Sequence, residues 1–209
     1  MSATVTPTRP FEPGTTGWTA RDLDEPEIER QWFEGRYEIV EGVLTKMPPA
    51  YFSGGQPLQE LIYLLKAYLK ERSVPNRFAG EADLILNEAR VLVADAVWMS
   101  SEDIERQAQA VRIGGRSDPN CTRILVPPTL VIESVSPGHE SHDRNLKRRW
   151  YAEFGVPNYW LLDGFAHSLE CLLLENAAYR TDATGREDAE IRPSLFPGLV
   201  IPLGTFWDR

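Results

Sequence analysis

Two carboxylates in this chain fall where a charge is seldom left. Asp95 lies inside the apolar run VLVADAVWM, among Val91, Leu92, Val93, Val97, Trp98 and Met99. Glu133 lies inside LVIESV, among Leu130, Val131, Ile132 and Val135. Burying a carboxylate without a partner costs several kcal/mol, so each must find an arginine, backbone donors or a metal. Two such acids in one sheet repel each other unless a cation lies between them. Mg²⁺ suits that place, because it takes one or two carboxylates together with waters and phosphate oxygens. Held there, it polarises a phosphate and helps to generate hydroxide. Either acid alone is explained as well by a loop cap or an arginine pair. The two together, with the basic segment that follows, point to a site.

That segment is Asp143–Phe154 (DRNLKRRWYAEF). Leu146, Trp150 and Phe154 recur at i, i+4 and i+8 as a buried helical stripe, with Lys147 and Tyr151 beside it. Lys147 has two readings. It aims its ammonium at the acids or at a phosphate, or it forms a surface ion pair with Asp143 worth ~0.3–0.5 kcal/mol. Arg144, Arg148 and Arg149 make this the most basic patch of the chain, either a solvated helix face or a set of phosphate contacts. The histidines, His139, His142 and His167, do not combine at zinc-ligand spacing. Cys121 and Cys171 are too few and too far apart for a disulfide scaffold and read as reduced thiols.

The elements that must position these residues follow from periodicity. Residues 1–20, rich in Thr, Pro and Gly, read as a flexible arm, and 21–209 as a single domain without a linker or repeat. A short helix fits Leu23–Phe33. RYEIVEGVLTKM alternates around Glu41-Gly42 as a hairpin. Leu58, Leu61, Ile62, Leu65 and Leu69 give a helix over Pro57–Arg72, bracketed by Pro57 and Pro75. Strands are expected at Ala82–Leu86, Val91–Met99, Thr129–Ser134 and Asn158–Leu162. A helical piece fits Ile104–Val111, followed by a surface loop at Gly114–Cys121. The basic helix should end at a left-handed Gly155, with Pro157 beyond it. Residues 168–203 read as hairpin strands turning at Gly185 and Pro197-Gly198. Trp150 and Trp160 belong to the core. The order predicts an α+β (mixed α/β) domain, a central mixed sheet flanked by a few helices.

The 209 residues are 42% apolar and 25% charged, the profile of a globular protein with room for a real core. No apolar stretch reaches the ~20 residues of a membrane span, and the N-terminus lacks a signal-peptide core, so a cytoplasmic protein without membrane attachment is expected. The net charge is −9, with 22 basic against 31 acidic residues. That excludes a protein coating nucleic acid through a broad basic surface, but it leaves room for an enzyme with a local basic groove. No G-x-S-x-G, phosphate-binding loop or dinucleotide fingerprint is present.

The combination of YEIVEGVLTKMPP, VADAVWMS, PPTLVIESVSP, DRNLKRRWYAEFGVPNYWLLD and FPGLVIPL resembles the PD-(D/E)XK nuclease superfamily, and within it the Uma-two family of predicted restriction endonucleases. The resemblance runs from Arg36 to Phe206. It implies a restriction-endonuclease-like core and a Mg²⁺- or Mn²⁺-dependent endonuclease acting on nucleic acid, with DNA the expected substrate. A homodimer is implied too, since many nucleases must address two strands. By the same resemblance Asp95 matches the aspartate of the PD element and Glu133 the second acid. Lys147 matches a lysine moved from the strand to the following helix, and Glu38 an acid of the first strand that joins the metal shell. Ala94 stands where the family has proline, Val135 where the superfamily has lysine, and YFSGGQP lacks a histidine common near the first long helix. The rival expectation is a catalytically silent descendant that kept the fold as an interaction or nucleic-acid-binding module.

Overall fold

The computed structural model describes residues 9–47, 52–75, 77–113, 123–135 and 142–207, with the backbone alone for 52–55 and 142–144. Two compact units divide the chain, one of Met1–Pro49 with Asp83–Val93, the other of Ala50–Ala82 with Ala94–Arg209. Of the three points where the chain passes between them, Ala82/Asp83 falls inside β3 (Arg77–Asn87) and Val93/Ala94 inside β4 (Arg90–Met99). Strand interiors carry no linker composition to be read at those two.

In the first unit a 3₁₀ turn, Ala20–Asp24, leads into α1 (Pro26–Glu34) and the hairpin β1 (Tyr37–Val40) and β2 (Val43–Lys46). The hairpin turns on Glu41 and Gly42, both at positive φ (50° and 76°). That is the pair of left-handed residues a two-residue type I′ turn requires. Ile39 of β1 pairs with Val91 at the start of β4. Trp18, Leu23, Ile28, Trp32, Ile39, Leu44 and Val91 form the core here. The stretch expected as an arm is described from residue 9. Thr16 bridges Val43, Trp18 is 1% exposed, and the Arg9 guanidinium lies 4.0 Å from its ring centroid. One indole buries enough apolar area to anchor a segment whose composition reads as loose.

The second unit holds α2 (Phe52–Glu71), α3 (Ser101–Ile113), β5 (Arg123–Ile124) and β6 (Leu130–Ser134). A wide π-type turn, His142–Lys147, runs directly into α4 (Arg148–Phe154) and then β7 (Asn158–Asp163). The hairpin β8 (Ser168–Glu175) and β9 (Ala178–Arg186) follows, then the short pair β10 (Glu190–Ile191) and β11 (Ile201–Pro202) and a 3₁₀ turn, Leu203–Thr205. The sheet of this unit runs β4-β6-β7-β8-β9. β6 and β7 are parallel and the other neighbours antiparallel, so the sheet is mixed as expected. A parallel pair needs a crossover over one face, and α4 is that crossover.

Strand alternation sorts the residues. Ala96 and Trp98, Leu130 and Ile132, Trp160 and Leu162, and Leu169 and Cys171 pack on one side with Leu61, Leu65 and Tyr68 of α2 and with Phe196 and Ile201. The residues between them, Asp95, Glu133 and Tyr159, point to the face crossed by α4.

Three expectations change. The long helix starts at Phe52, so Pro57 lies inside it and forfeits one helical hydrogen bond instead of marking the first turn. The β8–β9 hairpin turns at Asn176 and Ala177 (φ 50° and 62°), and Gly185 lies within β9. Glycine is needed there for proximity: a Cβ would sit 2.9 Å from the Ala189 Cβ and 3.0 Å from the Ile191 Cγ1. The basic helix is not one regular α-helix, since its first six residues take the wider π-type winding. The loop at 114–121, with Cys121, lies outside the described residues. Among the described residues no helix is long and apolar enough to cross a membrane.

Candidate active site

The site grows from the end of β6. Glu133 is flanked in the sheet by Leu161 of β7, and it is 2% exposed. Its partners come from the crossover. The Lys147 Nζ donates to Glu133 Oε1 at 3.2 Å, and the Tyr151 hydroxyl donates to the same oxygen at 2.6 Å. Lys147 is 1% exposed and Tyr151 is fully buried. Their i, i+4 spacing places both on one helical face. Lys147 ends the wide turn with ordinary helical angles (φ −61°, ψ −40°), so the chain passes into α4 without a break. A π-type turn of this kind often occurs at functional sites.

The helix is held in register at its other end. Gly155 adopts the left-handed cap (φ 92°), and its N–H and that of Val156 donate to the Tyr151 carbonyl at 3.0 and 2.9 Å. The Tyr151 ring packs at 5.2 Å on Tyr159, which packs at 5.6 Å on Tyr179. The Tyr179 hydroxyl donates to the Val156 carbonyl at 2.7 Å. Burial pushes that hydroxyl far above its ordinary range, so it stays a neutral donor.

Asp95 is the second acid. β4 pairs with β6 through Ala96↔Ile132, and one further step along that register sets Asp95 opposite Glu133. Residues opposite one another on antiparallel strands share a face. Asp95 is half-buried, and its Oδ2 accepts the Ser134 N–H at 2.7 Å. The result is two carboxylates at adjacent strand ends, one enclosed and one reached by solvent, with an ammonium beside the enclosed one. An ion pair this deep seldom repays its desolvation, so stability alone is a poor reason for Lys147 and Glu133 to be here. The donor set fits a hard cation completed by waters and phosphate oxygens. It does not fit zinc, and among the described residues no group of three or more His, Cys, Asp or Glu suits a metal.

Asp95, Glu133 and Lys147 thus belong to one unit. Glu38, expected as a further ligand, belongs to the other. It is 1% exposed, and its Oε1 accepts the Val93 N–H at 3.0 Å. Of the basic patch, Arg148 donates to the Tyr179 carbonyl at 2.9 Å and so ties α4 to β9. Arg149 is exposed, 3.7 Å from Glu153 in an i, i+4 pair. The side chains of Arg144, Asp143 and His142 lie outside the described residues, as does His139. His167 stacks on Trp207 beyond β7, with its Nδ1 3.1 Å from Glu187. Of the two readings open to Lys147, the described geometry has its ammonium on one of the acids, Glu133. Tyr151 is the site residue that sequence reasoning left aside, although its spacing from Lys147 was the available signal.

The model of the Uma2 family, described as "Putative restriction endonuclease", matches residues 27–204. The fold is similar to a crystal structure of "a putative nuclease belonging to DUF820" from Anabaena variabilis, with a TM-score of 0.63 and 17% identity, over 83% of this chain and 92% of that one. No curated protein matches.

Proposed function

Since the chain belongs to the Uma2 family, and its fold is restriction-endonuclease-like, we propose that it is a divalent-metal-dependent endonuclease hydrolysing phosphodiester bonds in DNA. The observation that carries the reading is the Lys147–Glu133 pair, both side chains buried and 3.2 Å apart, at the strand end beside Asp95. Asp95 and Glu133 would hold Mg²⁺ or Mn²⁺, and the ion would supply phosphate polarisation and a more acidic bound water. Lys147, beside Glu133, would be a cation placed to meet the charge that develops on the phosphate oxygens. Glu38 as a further ligand, and Arg144, Arg148 and Arg149 as phosphate contacts, enter through the family resemblance and the local charge. Between Arg148 and Arg149, whose side chains are described, Arg149 is the exposed and loosely paired one and the better suited to a phosphate. A cytoplasmic homodimer is part of the same reading.

The test is cleavage of linear and supercoiled DNA with Mg²⁺ and with Mn²⁺. Asp95→Ala and Glu133→Ala should each abolish it in folded protein. Cutting that survives both substitutions together sinks the assignment.

A second reading rests on the same pair. Lys147 is wholly buried and engaged with Glu133, as expected of a nuclease fold that retains the pair without turnover. A Mn²⁺ titration separates the two. Binding that disappears in Asp95→Ala favours the enzyme, and no uptake at millimolar Mn²⁺ favours the silent fold.

A further inference from the structure

Among the described residues Tyr151 and Lys147 both donate to Glu133 Oε1, and the two donors are not alike. The phenol is the nearer, at 2.6 Å, and the ammonium the farther, at 3.2 Å. A hydroxyl donating to a carboxylate at that distance makes a strong, charge-assisted hydrogen bond, whereas the ammonium contact is long for its class. The phenol is also the more fixed of the two. Its ring is fully buried against Tyr159, and the carbonyl of the same residue is tied to Gly155 and Val156. Lys147 reaches Glu133 on a four-carbon stem with rotatable bonds, as a point charge able to serve more than one partner.

We propose that Tyr151 is a positioning residue of the nuclease site: its hydroxyl holds Glu133 in place so that Lys147 can turn to a substrate phosphate without stripping a buried carboxylate of its compensation. The inference rests on the endonuclease reading and deepens it. In the resting protein Lys147 and Tyr151 share one oxygen. When the ammonium is drawn to the phosphate, the carboxylate keeps its shorter bond and its orientation toward the cation. Without the hydroxyl, Glu133 depends more heavily on Lys147, so the ammonium is held back and the metal ligand is less well oriented. Groups that orient metal ligands typically contribute about 10–100-fold to metal affinity or activity.

Tyr151→Phe removes the one donor and keeps the ring. Mn²⁺ affinity by calorimetry should weaken by about 10–100-fold, and single-turnover cleavage should slow by a similar factor with little change in the DNA concentration at half-maximal rate. A purely packing role would lower the melting temperature and leave Mn²⁺ affinity untouched. Affinity and rate both within about twofold of wild type, in a protein where Glu133→Ala abolishes both, overturn this inference and leave the endonuclease reading standing. A wild-type protein that binds no Mn²⁺ overturns both. Should Tyr151→Phe fail to fold, p-aminophenylalanine at position 151 retains a donor at the same place. It should restore Mn²⁺ affinity to within a few-fold of wild type, and failure to do so in folded protein counts against the proposal.

Discussion

Two acids of the second unit are almost equally buried, Asp103 at 3% and Glu133 at 2% exposed, and they are held in different ways. Asp103 stands in the first turn of α3. Its Oδ2 accepts the N–H of Ser100 at 3.0 Å, the N–H of Thr129 at 2.8 Å and the Thr129 hydroxyl, while Arg106 reaches its Oδ1. The Ser100 hydroxyl returns the favour by accepting the Asp103 N–H at 3.2 Å. Burial raises the carboxyl's pKa, but the bonds from Thr129 and Arg106 and the two backbone N–H groups outweigh it, and the net shift is downward. Backbone donors cannot leave, so this acid is a joint between α3 and the start of β6. Glu133 takes side-chain donors at Oε1 from a helix later in the chain, one of them a flexible cation. Burial alone does not tell these two acids apart; the kind of partner does, with backbone N–H donors at Asp103 and side-chain donors at Glu133.

The largest effect expected from this contrast is on chemistry. Lys147→Met should slow DNA cleavage by about 10²–10³-fold, the scale of losing one charge-stabilising donor. The combined change Glu133→Leu, Lys147→Met and Tyr151→Phe, which also removes the hydroxyl that donates to Glu133, should abolish cleavage and leave urea stability unchanged or higher by about 1–4 kcal/mol, because apolar replacement of a buried ion pair is often neutral or stabilising. A large loss of stability in that triple variant would mean that the cluster is retained for folding, which erases the distinction from Asp103.

At Asp103 the order should reverse. Asp103→Ala removes one half of the capping box it forms with Ser100 and leaves the Thr129 donors buried, for a loss of about 2–3 kcal/mol in urea, with cleavage per folded molecule unchanged. The pH dependence has a definite sign. A folded-state pKa below the ordinary aspartate value stabilises the fold above about pH 4, and that contribution is lost as pH falls through the folded value. The stability gap between wild type and Asp103→Asn should therefore narrow on acidification below pH ~4. A gap that widens there would refute the assignment of Asp103 as a charged joint.

The smallest effect should come from Arg149. Its exposed ion pair with Glu153 contributes within ~0.5 kcal/mol, so Arg149→Ala should leave stability almost unchanged. If Arg149 meets phosphate, the variant should bind DNA more weakly and lower the slope of affinity against salt by about one, which a filter-binding series across salt concentrations measures. An unaltered slope returns Arg149 to the solvated helix face.

Much of the fold was legible because its signals are local. The Glu41-Gly42 turn, the β4, β6 and β7 runs and the Gly155 cap each follow from a few neighbouring residues, and all are present. Where local signals failed, a longer-range demand had overridden them. Pro57 marked a helix start that the backbone ignored. Gly185 looked like a turn and is a strand residue made small by Ala189 and Ile191. The wide turn before α4 has no signature in a stripe of apolar residues, since that stripe reports a period and not the width of one turn. Trp18, in a segment that composition assigns to an arm, is a core residue.

The candidate site divides along the same line. By itself the sequence determined which residues carry charge into apolar strands, Asp95 and Glu133, and that a lysine follows on a basic helix. Those facts need only the order of residues and the cost of burying a carboxylate. The tertiary structure decided the partners. It put the Lys147 ammonium on Glu133, added Tyr151 to the same oxygen, and spent Arg148 on a strand carbonyl. The reason is geometric: spacing along a helix says which side chains share a face, but only the packing of that helix across β6 and β7 says what the face meets.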